Sequence, residues 1–72
     1  MILIQILKIL PASSMFKVLD NNKPVLEGML ARYDKSIMFK TVDDDIKFQK
    51  IYASFHVELI DKVDDIWVIN VR

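Results

Sequence analysis

The chain has 72 residues, 53% of them hydrophobic, and ten basic side chains balance ten acidic ones. That length holds one domain with one small core, and the even charge lacks the basic excess of a strong nucleic-acid binder. The absence of cysteine and the single histidine exclude a disulfide framework and a zinc set.

The opening stretch, MILIQILKILPASS, has an apolar run before small residues, as secretory signals do. It lacks a basic leader, Lys8 interrupts it, and ten residues are too few to span a bilayer. A soluble, cytoplasmic protein is the expectation. Residues 2–10 hold four isoleucines and three leucines, with Gln5 and Lys8 polar. Isoleucine favours a strand, whereas the spacing of the two polar residues also suits the wet side of a short helix. The strand is the preferred reading and Pro11 ends it.

From Met15 the pattern predicts β-structure throughout. Phe16–Leu19 is a strand, stopped by the turn Asp20-Asn21-Asn22-Lys23-Pro24. Val25–Tyr33 follows, with Leu26, Gly28 and Leu30 on one face, and Asp34-Lys35-Ser36 reverses the chain. Ile37–Val42 is closed by Asp43-Asp44-Asp45. Ile46–Ile51 alternates, as does Phe55–Ile60, where Phe55, Val57 and Leu59 face one way. Asp61–Asp65 is a charged turn, and Ile66–Val71 forms the last strand. Short strands joined by tight turns, with no repeats, predict a small all-β barrel. The single glycine, Gly28, sits in an apolar run, where a residue without a side chain permits a sharp bend and close packing. The apolar share of so short a chain also predicts a surface that meets another copy.

The run Gly28-x-Leu30-x-x-Tyr33-Asp34-x-x-Ile37-x-Phe39 resembles the first signature of the Sm and Sm-like proteins, including the bacterial Hfq branch. Upstream, Phe16-Lys17-Val18-Leu19-Asp20-Asn21-Asn22 resembles that family's first strand and turn. The resemblance covers residues 15–60 and implies a strongly bent five-stranded Sm-like (SH3-like) barrel, here with an extra terminal strand. It implies a ring joined through the fourth and fifth strands that binds single-stranded RNA. Ser36 and Met38 stand where the family commonly has a stacking residue and an asparagine. The second signature, an arginine-glycine pair or the Hfq-type tyrosine-lysine-histidine, is absent. Asp34 carries over as the residue that orders a base-binding loop.

On chemistry alone, Lys50 can meet a phosphate and Tyr52 can stack on a base. Lys35 adds a second phosphate contact beside Asp34. Each also has a plainer reading: Asp34 as a turn aspartate bonding its own backbone, the others as ordinary surface residues. The triple aspartate lacks the ligand spacing and glycine of a calcium loop and reads as solvated. His56 has no nucleophile or orienting partner, so neither catalysis nor a cofactor is expected. Trp67 reads as core or interface, and Met1, Met15, Met29 and Met38 share no spacing and read as packing. A phosphate-cradling loop needs several glycines.

The sequence thus predicts a homo-oligomeric Sm-like ring of about five to seven subunits, binding single-stranded nucleic acid, with RNA expected, in processing or regulation. The alternatives are an oligomeric structural or assembly protein without nucleic-acid binding, and an SH3-like adaptor with an exposed aromatic groove.

Overall fold

The computed structural model describes all 72 residues, Met1–Arg72. Residues 2–10 form a helix rather than the preferred strand, α1 (Leu3–Ile9). The reason is period. Leu3, Ile6, Leu7 and Leu10 recur at helical spacing and all four are buried, while Gln5, Lys8 and Ile9 are exposed. Gln5 Oε1 accepts the Ile2 N–H at 3.0 Å, tying the start of the helix.

β1 (Met15–Asp20) and β2 (Lys23–Leu30) form a hairpin. Asn21 and Asn22, at φ 54° and 65°, make its two-residue loop. Both central residues being left-handed matches the twist of the flanking strands, and asparagine tolerates that conformation. The same device recurs between β4 (Val57–Val63) and β5 (Ile66–Val71), where Asp64 and Asp65 have φ 51° and 65°. Asp61 to Val63, predicted as part of a turn, therefore belong to a strand.

Between these hairpins lies β3, only Ile37–Phe39. The strand predicted over Ile46–Ile51 is helical: α2 (Val42–Lys47) runs into a π-helical turn, Phe48–Tyr52. Thr41 Oγ1 accepts the Asp44 N–H at 3.0 Å and caps α2. Asp43, Asp44 and Asp45 occupy the first turn, where carboxylates complement the positive end of a helix. The triple aspartate starts a helix, then, instead of closing a strand. Asp43 also pairs with Lys47 at 3.2 Å, and Asp45 accepts from Gln49 at 2.8 Å, both one turn on. The Ala53 N–H donates to the Phe48 carbonyl at 2.9 Å, the five-residue step that widens the last turn.

The five strands form one mixed sheet in the order β3-β2-β1-β5-β4. The central pair, β1 and β5, is parallel, and the other pairs are antiparallel. The sheet is open, with β3 and β4 at opposite edges, and does not close into a barrel. Its physical reason is the helical layer. Phe16, Val18, Leu26, Leu30, Ile69 and Val71 share one buried cluster with Leu3, Ile6, Leu7, Leu10 and Phe48. Helices thus cover the face that a barrel would cover by rolling up. β5 has neighbours on both sides, so the free edges are those of β3 and β4.

With a single sheet, Gly28 is not a point of passage between two. It pairs with Phe16 on one side and Phe39 on the other, and its φ is not positive. A Cβ at this position would lie 2.5 Å from the Met38 carbonyl oxygen, 2.9 Å from Phe16 Cζ and 3.1 Å from Phe39 Cα. The close packing foreseen for the glycine is present, and its occupant is an aromatic row. Phe16 meets Phe39 edge-on at 6.0 Å, and Phe39 meets Phe48 at 5.0 Å.

In β4 the register shifts between Val57 and Leu59. Leu59 therefore does not share a face with Val57 as alternation predicted. It is exposed, while Ile60 pairs with the fully buried Ile69. Trp67 packs half-buried against the core, with Lys62 Nζ 5.1 Å from its ring centroid.

Candidate functional site

Alternation along the strands sends one set of side chains to the helices and the other to an uncovered face. On β1 the uncovered set begins with Met15 and Lys17, since Phe16 and Val18 are buried. On β2 it includes Glu27 and Met29, between the inward Leu26, Gly28 and Leu30. Strand register then joins these residues into rows. Met38 pairs with Met29, Met29 with Met15, Met15 with Ile66, and Ile66 with Val63. One continuous apolar row crosses all five strands, and Met15 and Met38 are each 52% exposed in it.

Two residues further along the strands lies a row of mixed charge. Glu27 pairs with Lys17, Lys17 with Val68, and Val68 with Asp61. Lys40 joins it at the β3 end, its N–H donating to the Glu27 carbonyl at 2.9 Å and its ammonium 3.3 Å from Glu27 Oε2. Lys17 makes no ion pair within the molecule. A groove of about 390 Å³ runs between the two rows. Methionines form one wall, and Lys17, Glu27 and Lys40 the other. Phe16, Gly28 and Phe39 also line it. Their side-chain positions point to the helix side, so backbone makes the floor.

The residues singled out from the sequence lie elsewhere. Asp34 Oδ1 accepts the Ser36 N–H at 3.0 Å, which holds its carboxyl below the ordinary 3.8. This is the turn bond that an aspartate makes without any ligand. Lys35, at φ 57°, donates its ammonium to the Lys8 carbonyl at 2.8 Å, near the end of α1. Tyr52 is half-buried, its ring 4.8 Å from that of Phe55. Lys50 is exposed on the π-helical turn and makes no ion pair. The Ala53 carbonyl, just beyond that turn, accepts the Ile4 N–H at 3.0 Å at the start of α1. Lys35 thus meets α1 near its C-terminal end, and the segment just after the Lys50–Tyr52 turn meets α1 near its start. No hydrogen bond or ion pair joins Asp34 and Lys35 to Lys50 and Tyr52, and both pairs adjoin the helical layer.

What the sequence reading missed is the uncovered face. Met15 and Met29 were visible as apolar residues out of phase with Phe16, Val18 and Leu26. Only strand register, however, shows that they meet each other, Met38 and Ile66. No group of three His, Cys, Asp or Glu side chains is placed to hold a metal, and no helix is long and apolar enough to cross a membrane. Neither a family model, nor a curated protein, nor a solved structure matches this chain.

Proposed function

We propose that this chain is a structural assembly module that works through protein–protein contact at the open face of its sheet. The observation that carries the reading is the apolar row from Met38 to Val63, which crosses every strand and is exposed at Met38, Met29, Met15 and Val63. A contiguous exposed apolar patch marks an interaction site, where singly scattered apolar residues do not. Here those four of the row's five residues are 37–52% exposed on a domain with only 11 buried residues. Association gives so small a fold a second apolar layer, which it otherwise lacks.

The rival reading, a ring that binds single strands through Asp34, Lys35, Lys50 and Tyr52, calls for those residues to converge on one strand of nucleic acid. Lys35 and Tyr52 already have partners within the fold, and a ring closed through strand edges has only β3 and β4 to offer.

Sedimentation from low micromolar to near-millimolar concentration tests the proposal, with Met29→Lys as the interface variant. The expected result is a concentration-dependent oligomer that Met29→Lys shifts to monomer without loss of fold. Labelled oligo-uridine and oligo-adenosine, titrated at two salt concentrations, form the second arm. A wild-type monomer at every concentration overturns the assembly reading. Salt-dependent binding of single strands by that monomer puts nucleic acid in its place.

A further inference from the structure

We infer that the occupant of the open face is a second copy of this chain, packed sheet against sheet about a twofold axis that runs parallel to the strands between β1 and β2. This rests on the assembly reading above and adds to it the partner and its orientation.

The argument starts from symmetry. A twofold contact brings one surface patch against itself, so the patch must be self-complementary. An axis parallel to the strands exchanges left and right across the sheet but leaves each row facing the same row of the other copy. The methionine row then meets the methionine row, and the charged row meets the charged row. The position of the axis decides what the charges see. Placed between β1 and β2, it exchanges the registered neighbours Lys17 and Glu27. Lys17 of each copy then lies over Glu27 of the other, giving two opposite-charge contacts around the axis. Met29 lies over the other copy's Met15, and Met38 over its Ile66.

Other placements are worse. An axis along β1 sets Lys17 against itself, and one between β1 and β5 sets Glu27 against Asp61. An axis perpendicular to the strands and along the methionine row sends the two charged rows to opposite sides, where neither meets the other. An axis along β5 sets Lys17 over Asp61 but overlaps only β1, β5 and β4, leaving Met29 and Met38 bare. Among placements that cover both of those methionines, only the first gives Lys17, the cation of this face that has no ion pair, an anion to meet.

The contact is small. The four strands that overlap about this axis, at about six residues each, spaced about 4.8 Å apart with a rise of about 3.3 Å, give a flat area of about 380 Å² per copy. One partner of a standard stable complex contributes about 800 Å², so the dimer expected is weak and concentration-dependent. The competing surface is the free edge of β4. It is guarded by Glu58, Asp61 and Lys62, and at its start by Met1, whose carbonyl accepts the Val57 N–H at 2.8 Å. Charged residues and partial cover are how edges resist pairing. The face has neither protection along its apolar row.

The test is charge complementation. Lys17→Glu alone places carboxylates opposite each other at both contacts, and Glu27→Lys alone places ammonium groups there. Each variant should raise the dimer dissociation constant at least about tenfold. An equimolar mixture of the two should assemble at wild-type concentration as a heterodimer, because both opposite-charge contacts return. The double exchange Lys17→Glu/Glu27→Lys in one chain should likewise restore the homodimer. Because Lys17 and Glu27 also oppose each other within one chain, circular dichroism of each single variant separates lost assembly from lost fold. If the single variants assemble like wild type, or if neither the mixture nor the double exchange recovers assembly, this orientation is overturned while the assembly module stands. A wild-type chain that never associates overturns the assembly reading itself.

Discussion

Gly28 shows how one residue ties the two faces of this sheet together. On the helix side its missing side chain leaves room for the ring of Phe16, which in turn meets Phe39. On the open side its position is part of the groove floor between methionines and charges. Gly28→Val adds three carbons where the first already falls 2.5 Å from the Met38 carbonyl oxygen. That neighbour is backbone and cannot swing aside, so β3 must move away from β2 or the aromatic row must repack. Overpacking of this kind costs about 1–3 kcal/mol, with the upper end expected because two of the three close atoms belong to β3 backbone. Urea unfolding followed by Trp67 fluorescence measures it. An unchanged midpoint would mean that the strands separate freely and that the glycine is not a packing requirement.

At the scale of elements, α2 depends on a short polar signal. Thr41 stands three residues before Asp44 and caps its N–H, and Asp44 Oδ2 in turn accepts the Glu27 N–H at 3.2 Å, tying the helix to β2. Thr41→Ala removes the cap, and such a loss costs about 1 kcal/mol; thermal unfolding should show the lower midpoint, with amide exchange fastest over residues 42–47. An unaltered α2 would assign its stability to its other ties, Phe48 in the core and Asp44 on β2. The same stretch explains where the sequence was legible and where it was not. β1, β2 and β5 could be read because their alternation is bounded by turn residues such as Asn21 and Asn22. Ile46–Ile51 could not, since six residues fit both periods. The deciding cues were Thr41 with Asp44 as a cap pair, and Phe48 and Tyr52 one turn apart. In α1 the spacing of Leu3, Ile6, Leu7 and Leu10 was equally available, but isoleucine content favoured the other answer. The register shift in β4 left no mark in the sequence, and neither did the meeting of Met15, Met29 and Met38, which is a property of strand pairing.

At the scale of the whole molecule, 31 × 24 × 20 Å, the sheet divides two environments that strand periodicity alone cannot distinguish. One side packs on helices and the other is bare, and an apolar residue suits both a barrel interior and an intermolecular contact. The methionines supply a direct probe of the bare side. A thioether in water is oxidised to the sulfoxide, whereas one held in a packed contact is shielded. Met15, Met29 and Met38 lie on the row that faces the second copy, and Met1, 63% exposed, lies at the start of the chain beside Val57. In dilute solution, brief peroxide treatment should oxidise Met1, Met15 and Met38 readily and Met29, the least exposed of the four, more slowly. At high concentration Met15, Met29 and Met38 should slow together while Met1 keeps its rate, read by mass spectrometry of the corresponding peptides. Once oxidised, the three polar sulfoxides should also hold the protein monomeric, so treated and untreated samples should sediment differently at the same concentration. Assembly through the β4 edge predicts the reverse, with the row methionines indifferent to concentration and Met1 the residue that changes.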